Sequence, residues 1–152
     1  MKKLKRLIVV SAALLLVCAL TSCGKKSAEI TFIGLSETNV LNIQYEAKSN
    51  IKKDEFQIKV IVSGEGGNAS GTVYCMAEQN EDLVKGKKYF ALFDMTSEHL
   101  WKADGELNML GGTFSDDGIT TSDILMLFGE DAKISAEFVI NGETVSAMSV
   151  EE

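Results

Sequence analysis

The residues that could support nucleophilic catalysis are few, and they include the only histidine of the chain. His99 could act as a general base for the thiol of Cys75, with Asp94 orienting the imidazole, because a thiolate nucleophile needs a base within hydrogen-bond reach and a third group behind it. The local sequence does not support this arrangement. Cys75 is neither in a strained elbow such as G-x-S-x-G nor at a predicted helix N-terminus, where its pKa would fall. We therefore expect no enzyme, and a thiol-dependent hydrolase using Cys75 and His99 is kept as an alternative.

A second group of candidate ligands lies in the stretch SDDGITTSD. Asp116, Asp117 and Asp123 resemble a calcium loop of the EF-hand or dockerin type, in which one acidic residue precedes a glycine and another precedes an apolar run. The spacing departs from that pattern, because Thr113 and Ser115 fall where the first two oxygen donors should be Asp or Asn, and Asp123 comes one residue early. A plain Asp-Asp-Gly turn followed by a cap explains the same residues. We prefer the turn, and calcium in an irregular loop stays open.

His99 and Trp101 form the candidate binding site. The only tryptophan and the only histidine stand together between a predicted strand and the turn at residues 103–105. Exposed aromatic side chains on the loops of a β-sandwich often anchor a partner or stack on a sugar. The alternative is that Trp101 fills one end of the core. The partner expected from the first interpretation is an extracellular protein, peptide or glycan.

No cofactor is expected. Zinc sites need several His or Cys ligands, and the chain offers one histidine and one unblocked cysteine. The glycine-rich stretch at residues 64–67 lacks a following Gly-Lys-Ser/Thr, and Glu65 has the wrong charge for a phosphate cradle. We interpret this stretch as a hairpin loop.

Residues 1–23 have the organisation of an export signal. Basic residues at positions 2–6 precede the apolar run Leu7–Leu20, and the small residues Thr21 and Ser22 follow it. The run is shorter than the about 20 residues of a spanning helix. Leu20-Thr21-Ser22-Cys23 resembles the lipobox of bacterial lipoproteins. The resemblance implies that the Cys23 thiol receives a diacylglycerol, that cleavage falls between Ser22 and Cys23, and that the chain is exported and anchored to the outer face of the cell membrane.

The charge of the processed chain argues against nucleic acid as a partner. After residues 1–22 are removed, 11 lysines, no arginine and 22 acidic residues remain, for a net charge of −11. Binding to nucleic acid depends on a basic surface, and base and phosphate recognition usually depends on arginine. The membrane is therefore expected as a partner only through the lipid on Cys23.

The processed chain is expected to form one domain. Residues 1–22 are the leader, 23–27 a lipidated tether and 28–152 the folded domain, which is long enough to fold without staples. Cys18 leaves with the leader and Cys23 is blocked by lipid, so Cys75 has no disulfide partner. The sequence TVYCMA places Cys75 on one strand face with Val73 and Ala77, and we expect it to be buried there.

Apolar residues alternate with polar ones along most of this domain, which predicts strands with one wet face. Strands are predicted at residues 30–35, 41–47, 56–62, 71–78, 89–95 and 134–140. Residues 124–128 are a weaker strand or a single helical turn capped by Ser122 or Asp123. Asn141-Gly142 predicts a type I′ turn between antiparallel strands 132–140 and 143–149.

Seven or eight short strands without alternating helices predict an all-β fold, an antiparallel β-sandwich of immunoglobulin-like type. Together with the leader, this fold favours a cell-envelope lipoprotein that acts by binding, as an accessory or recognition module. The alternative from a different class is a structural lipoprotein that spaces or shields the envelope without a specific ligand.

Overall fold

The computed structural model describes residues 25–66, 69–109, 119–129 and 132–151, which form an antiparallel β-sandwich with one short helix. The predicted all-β sandwich is confirmed, and the described residues contain ten strands because three very short ones join the expected set. The elements are β1 (Ala28–Leu35), β2 (Val40–Ala47), β3 (Phe56–Gly66), β4 (Ala69–Ala77), β5 (Lys88–Asp94), β6 (Leu100–Ala103), β7 (Asn108–Met109), β8 (Ile119–Thr120), α1 (Thr121–Phe128), β9 (Lys133–Ile140) and β10 (Glu143–Ser149).

The strands form two sheets. The smaller sheet has the order β1-β2-β5, and the larger has the order β10-β9-β3-β4-β6-β8, with β7 also paired to β4. Strand β2 shows why the sequence folds this way, since Leu41, Ile43, Tyr45 and Ala47 are buried and the residues between them are partly exposed. This alternation is the predicted one, and it turns one face of each sheet toward the other.

Aromatic side chains join the two sheets at the centre of the core. Tyr45 of the smaller sheet stacks on Tyr89 with ring centroids 5.7 Å apart, and its ring lies 5.2 Å from that of Phe138 in the larger sheet. Phe138 also stacks on Phe56 at 5.2 Å. Aromatic pairs at these separations contribute beyond the area that they bury.

The terminal hairpin is confirmed. Asn141 and Gly142 have φ values of 49° and 83°, and Ile140 pairs with Glu143 across the turn. Positive φ at both central residues is the requirement of a type I′ turn, which Gly and Asn meet at least cost. The backbone N–H of Asn141 donates to the carbonyl oxygen of Glu55 at 2.9 Å, which ties the turn to the loop before β3.

Of the two predictions for residues 124–128, the strand is wrong and the helical turn is confirmed, because these residues belong to helix α1. Thr120 is the N-cap: its Oγ1 accepts from the backbone N–H of Asp123 at 3.3 Å, and the Asp123 carboxylate accepts from the Thr120 N–H at 2.8 Å. This reciprocal capping box satisfies two orphan donors. Neither Ser122 nor Asp123 is the cap, since both lie inside the first turn.

The hairpin loop predicted at residues 64–67 is shorter than expected, since β3 continues to Gly66 and β4, which pairs with it, begins at Ala69. Gly64 lies in this extension, and a Cβ atom there would be 2.8 Å from Cδ1 of the buried Phe128. The glycine at this position therefore allows α1 to pack directly on the sheet.

The chain enters the sandwich beside the β9–β10 turn. The Ser27 N–H donates to Ser49 Oγ at 2.9 Å, and the Lys48 N–H donates to the Ser27 carbonyl at 2.9 Å, so the last residue of the expected tether is bonded to the domain. Lys25 forms an ion pair with Glu143 at 2.6 Å. Every described strand and the whole described core follow Lys25.

In the part of the chain that the structure describes, no helix has both the length and the apolar character needed to cross a bilayer.

Candidate functional site

The outer face of the smaller sheet exposes three large apolar side chains. Phe32 is 46% exposed, Phe90 65% and Leu92 70%. Residues 88–94 alternate between exposed and buried, so Phe90 and Leu92 point away from the core while Tyr89, Ala91 and Phe93 point into it. We call Phe32, Phe90 and Leu92 the outer apolar face.

The register of the sheet brings these three side chains together. Gln44 pairs with Phe32 on one side and with Phe90 on the other, so these residues form one row across the sheet. Gly34, Asn42 and Leu92 form the next row. A Cβ atom on Gly34 would lie 2.7 Å from Cζ of Phe32, which shows that the Phe32 ring lies over Gly34 and toward that second row.

Polar and charged groups surround the outer apolar face. Beyond one end, Lys48 forms ion pairs with Glu46 at 2.9 Å and Glu29 at 3.2 Å, and Glu46 pairs in register with Lys88 of β5. Asp94 closes the other end. An apolar centre with a charged rim is the usual composition of a protein-binding surface.

One buried polar atom lies within this surface. Asn42 Oδ1 is inaccessible to solvent and has no hydrogen-bond partner among the described residues. A buried acceptor without a donor is costly, which makes it unusual in a folded domain.

Trp101, in contrast, is not at the surface, and its role as an exposed binding residue is corrected by the structure. The indole is 0% exposed, meets Phe93 edge-on at 5.7 Å, and donates from Nε1 to Thr121 Oγ1 at 3.1 Å. Strand β6 carries Trp101 inward, since only alternate residues of a strand face solvent. Trp101 therefore fills the end of the core, as the alternative interpretation had it.

His99 supports the same buried cluster and is only partly exposed. Its ring stacks on Phe93 at 4.2 Å, and its Nε2–H donates to the backbone carbonyl of Asp94 at 2.8 Å. Its backbone N–H donates to Thr121 Oγ1 at 3.0 Å. Both the ring and the backbone of His99 are thus used to hold the cluster together, and not to present a binding surface.

The catalytic arrangement of Cys75, His99 and Asp94 is not assembled. The Cys75 thiol bonds its neighbour, the Met76 carbonyl at 3.9 Å, and among the described residues no hydrogen bond joins it to His99. Partial burial raises the pKa of Cys75, which opposes thiolate formation. Asp94 meets His99 through its carbonyl, while its carboxylate accepts from Thr96 and Ser97, and these bonds lower its pKa to about 2.

Cys75 lies on the predicted face but is only half-buried, which corrects the expectation of full burial. It pairs with Val60 on the inward side of β4, in line with Val73 and Ala77. Strand β6 pairs with β4 only at Val73 and Tyr74, so β4 has no described neighbour on that side at Cys75.

Only one of the three candidate calcium ligands lies among the described residues. Asp116 and Asp117 lie outside the described residues. Asp123 is described, and its carboxylate is occupied by the N–H and hydroxyl of Thr120 at 2.8 and 2.7 Å, which lowers its pKa. Within the described ranges, no group of three or more His, Cys, Asp or Glu side chains is placed to hold a metal ion.

The residues predicted to be lipidated and cleaved, Cys23 and Ser22, also lie outside the described residues. A groove of about 480 Å³ opens near the start of the described chain, and Lys26, Lys52 and Asp82 contribute to its wall. Its charges are already paired, Lys26 with Glu55 and Lys52 with Asp82 at 2.7 Å. We therefore place the candidate site at the outer apolar face rather than in this groove.

The outer apolar face was not predicted from the sequence, although a signal for it exists there. Residues 89–93 read YFALF, so this strand is apolar on both faces instead of on one. A strand of that kind is either covered on both sides or presents an apolar surface to a partner.

No family model matches the chain, and no curated protein or solved structure is significantly similar to it.

Proposed function

We propose that the chain is an exported, lipid-anchored binding module of the cell envelope, without catalytic activity of its own, and that it contacts a protein partner through the outer apolar face. The observation that carries this proposal is the exposure of Phe32, Phe90 and Leu92 on one side of one sheet. Contiguous exposed apolar side chains with a polar rim are typical of interaction sites, since leaving them in water forfeits the free energy of their burial.

A protein or peptide suits this surface better than a glycan does. The face lies on a β-sheet, and its centre presents two phenyl rings and a leucine. A sugar site needs several converging polar groups to bind hydroxyls, whereas the charged groups here lie at the two ends of the strands. A flat apolar centre with charged ends favours a complementary protein surface.

The anchor rests on the leader. The basic start, the apolar run and the lipobox at residues 20–23 support export and lipidation of Cys23. The test uses the full chain: Cys23→Ser should abolish incorporation of a labelled fatty acid, and Cys18→Ser, which changes a cysteine of the leader, should not. Labelling of the Cys23→Ser variant would contradict the anchor.

The binding role is tested with the fragment 24–152 immobilised against culture supernatant and envelope extract. A double variant, Phe90→Ser with Leu92→Ser, should lose the proteins that the parent fragment retains. Leu100→Ser is the matched control, since Leu100 is 68% exposed but lies on β6 in the other sheet. If the double variant retains the same proteins as the parent, the outer apolar face is not the binding site.

A further inference from the structure

Strand β5 has an open edge. Of the described strands, only β2 is hydrogen-bonded to it. The Met95 N–H donates to the Asn39 carbonyl at 2.9 Å and the Ala47 N–H donates to the Lys87 carbonyl at 3.2 Å, so the odd-numbered residues of β5 bond β2. Bonding direction alternates along an antiparallel strand. The N–H and C=O groups of Lys88, Phe90, Leu92 and Asp94 therefore point away from β2, and among the described residues only the Asp94 carbonyl has backbone or side-chain donors there, from Ser97 and His99.

The opposite edge of the same sheet is protected. Strand β1 has a register irregularity between Ile30 and Phe32, and the Ile30 N–H donates to Ser146 Oγ of β10 at 3.0 Å. Irregularities and covering strands are the usual means of preventing edge-to-edge pairing. The pairing of β5 with β2 is regular over all seven residues, so β5 has no such irregularity.

We infer that the partner of the outer apolar face is a second copy of this chain, paired antiparallel through β5. This inference rests on the proposed function, because it names the partner of the same surface. The strand reads KYFALFD and is complementary to itself about Ala91. In this register Lys88 lies opposite Asp94 of the partner subunit, and Phe90 lies opposite Leu92 of the partner subunit.

The hydrogen-bond pattern fits this register. Opposing residues sum to 182, so each even-numbered residue, whose N–H and C=O point away from β2, meets another even-numbered residue. The Asp94 carbonyl already accepts from His99 Nε2–H and the Ser97 N–H, so at each end of the pair only the Asp94 N–H is available to Lys88 of the partner subunit. Ala91 meets itself at the two-fold axis as a non-hydrogen-bonded pair, where Cα atoms approach to about 4.5 Å. Ala91 has the smallest side chain of the strand, which suits this close approach.

Electrostatic pairing favours this register over the two registers whose axis is shifted by one residue. A shift that moves the axis to Phe90 places Lys88 opposite Leu92 of the partner subunit, and a shift to Leu92 places Asp94 opposite Phe90 of the partner subunit. Either shift removes both ion pairs. Hydrogen bonds from Thr96 and Ser97 lower the pKa of the Asp94 carboxyl to about 2, and the Lys88 side chain is exposed and can reach it.

The pairing makes one sheet of six strands in the order β1-β2-β5-β5-β2-β1. Phe90 and Leu92 of the two copies then adjoin at the centre of a single apolar surface, with Phe32 of each copy to the outside. Each cross-strand apolar pair and each opposite-charge pair contributes to such an interface. The surface that the monomer exposes is thereby partly covered by its own copy.

The pairing also determines where the N-terminal ends of the two copies lie relative to each other. In an antiparallel pair the β1 strands begin at opposite ends of the sheet. Two copies anchored through Cys23 in one membrane would therefore pair only with their strands lying along the membrane surface. The soluble fragment 24–152 is free of this constraint and is the form for the test.

Sedimentation equilibrium over a concentration series measures the self-association of this fragment. We expect the parent to form dimers, and Lys88→Asp to weaken the dimer by about tenfold, because it places two carboxylates opposite each other at both ends of the pair. Lys85→Asp is the matched control, since it changes the charge equally in the loop before β5 and should leave the dimer unchanged. An equal effect of the two variants would overturn the register.

Mixing two variants tests the complementarity directly. Lys88→Asp places two carboxylates together and Asp94→Lys places two ammonium groups together, so each should dimerise poorly alone. Their equimolar mixture restores an opposite-charge pair at both ends and should recover a dimer, with circular dichroism confirming that each variant is folded. A mixture that stays as monomeric as its components would refute the pairing.

The outcomes also separate this inference from the proposed function. A parent fragment that is monomeric throughout the series, while Phe90→Ser with Leu92→Ser still loses its retained proteins, would refute the self-pairing and leave the proposed function standing. Self-association without any retained protein would leave the second copy as the partner. Absence of both would refute both.

Discussion

Two apolar regions lie on the two sides of strand β5, and one is buried while the other is exposed to solvent. On the inner side, Phe93, His99, Trp101 and Thr121 form a buried cluster at the end of the core. On the outer side, Phe90 and Leu92 are exposed together with Phe32 of β1. Leu92 is 70% exposed and its neighbour Phe93 is 4% exposed, although both are large and apolar. The comparison shows that position relative to the second sheet, and not residue type, decides which side chain is available to a partner.

The inner region is also complete in its polar contacts. Thr121 Oγ1 accepts from Trp101 Nε1 and from the His99 backbone, and donates to the Ser97 carbonyl at 2.8 Å. The outer region contains a buried acceptor without a donor, Asn42 Oδ1, among the described residues. A cluster whose polar groups are all bonded stabilises the fold, whereas the exposed apolar side chains of the outer region are suited to a partner.

The largest expected effect tests the inner region. Trp101→Ala should destabilise the domain by about 3–5 kcal/mol, because it leaves a cavity in place of a fully buried indole and removes its hydrogen bond. Phe90→Ala is the control and should change the unfolding free energy by less than about 0.5 kcal/mol, since its ring is mostly in solvent. Urea unfolding of the fragment 24–152 measures both. Equal losses would contradict the contrast between the two sides of β5.

The next effect concerns the hydroxyl at the centre of the inner cluster. Thr121→Val keeps the side-chain shape but leaves Trp101 Nε1 and the His99 N–H without their acceptor, which should cost about 1–3 kcal/mol. Ser122→Ala, which removes an exposed bond to Glu98 at 2.7 Å, should be nearly neutral. A Thr121→Val variant that melts with the parent would show that the cluster does not depend on this hydroxyl.

Two glycines allow a matched comparison of the buried and exposed sides. A Cβ atom on Gly64 would meet buried Phe128 at 2.8 Å, and a Cβ atom on Gly34 would meet half-exposed Phe32 at 2.7 Å. Gly64→Ala should therefore cost about 1–3 kcal/mol through overpacking. In Gly34→Ala the Phe32 ring can move into solvent, so we expect a change within about 0.5 kcal/mol. Thermal melts of the two variants test this, and a reversed order would contradict it.

The smallest effect concerns Asp94, which closes one end of the outer apolar face. Its pKa is lowered to about 2 by bonds from Thr96 and Ser97. A lowered folded-state pKa contributes stability that is present above the unfolded value near 3.8 and is lost as pH falls toward 2. Asp94→Asn should therefore melt below the parent at pH 7, and the gap should close near pH 2. A gap that is independent of pH would rule out the ionised carboxylate as its cause.

Local features of the sequence determined much of the sandwich. The alternation in β2 and β9 follows from the two-residue period of a strand, which depends on residues close together in the chain. The Asn141-Gly142 turn is equally local, because it depends on positive φ at these two residues. The polar residues opposite these apolar faces identify the wet side directly. For this reason the strands, the hairpin and the fold class were predictable.

Only the tertiary structure decided where the candidate site lies. The sequence left Trp101 open as a surface anchor or as the filling of one end of the core, and the structure buries it fully. Helix α1 forms in an apolar stretch too short for its period to be distinguished from that of a strand, and its capping box and its contact with Gly64 stabilise it there. Phe32 and Phe90 are 58 positions apart in the chain, and Gln44 brings them into one row only through long-range pairing. Strand register, sheet order and edge position are set by such contacts between distant segments, which is why the YFALF strand alone did not show that its outer side faces solvent.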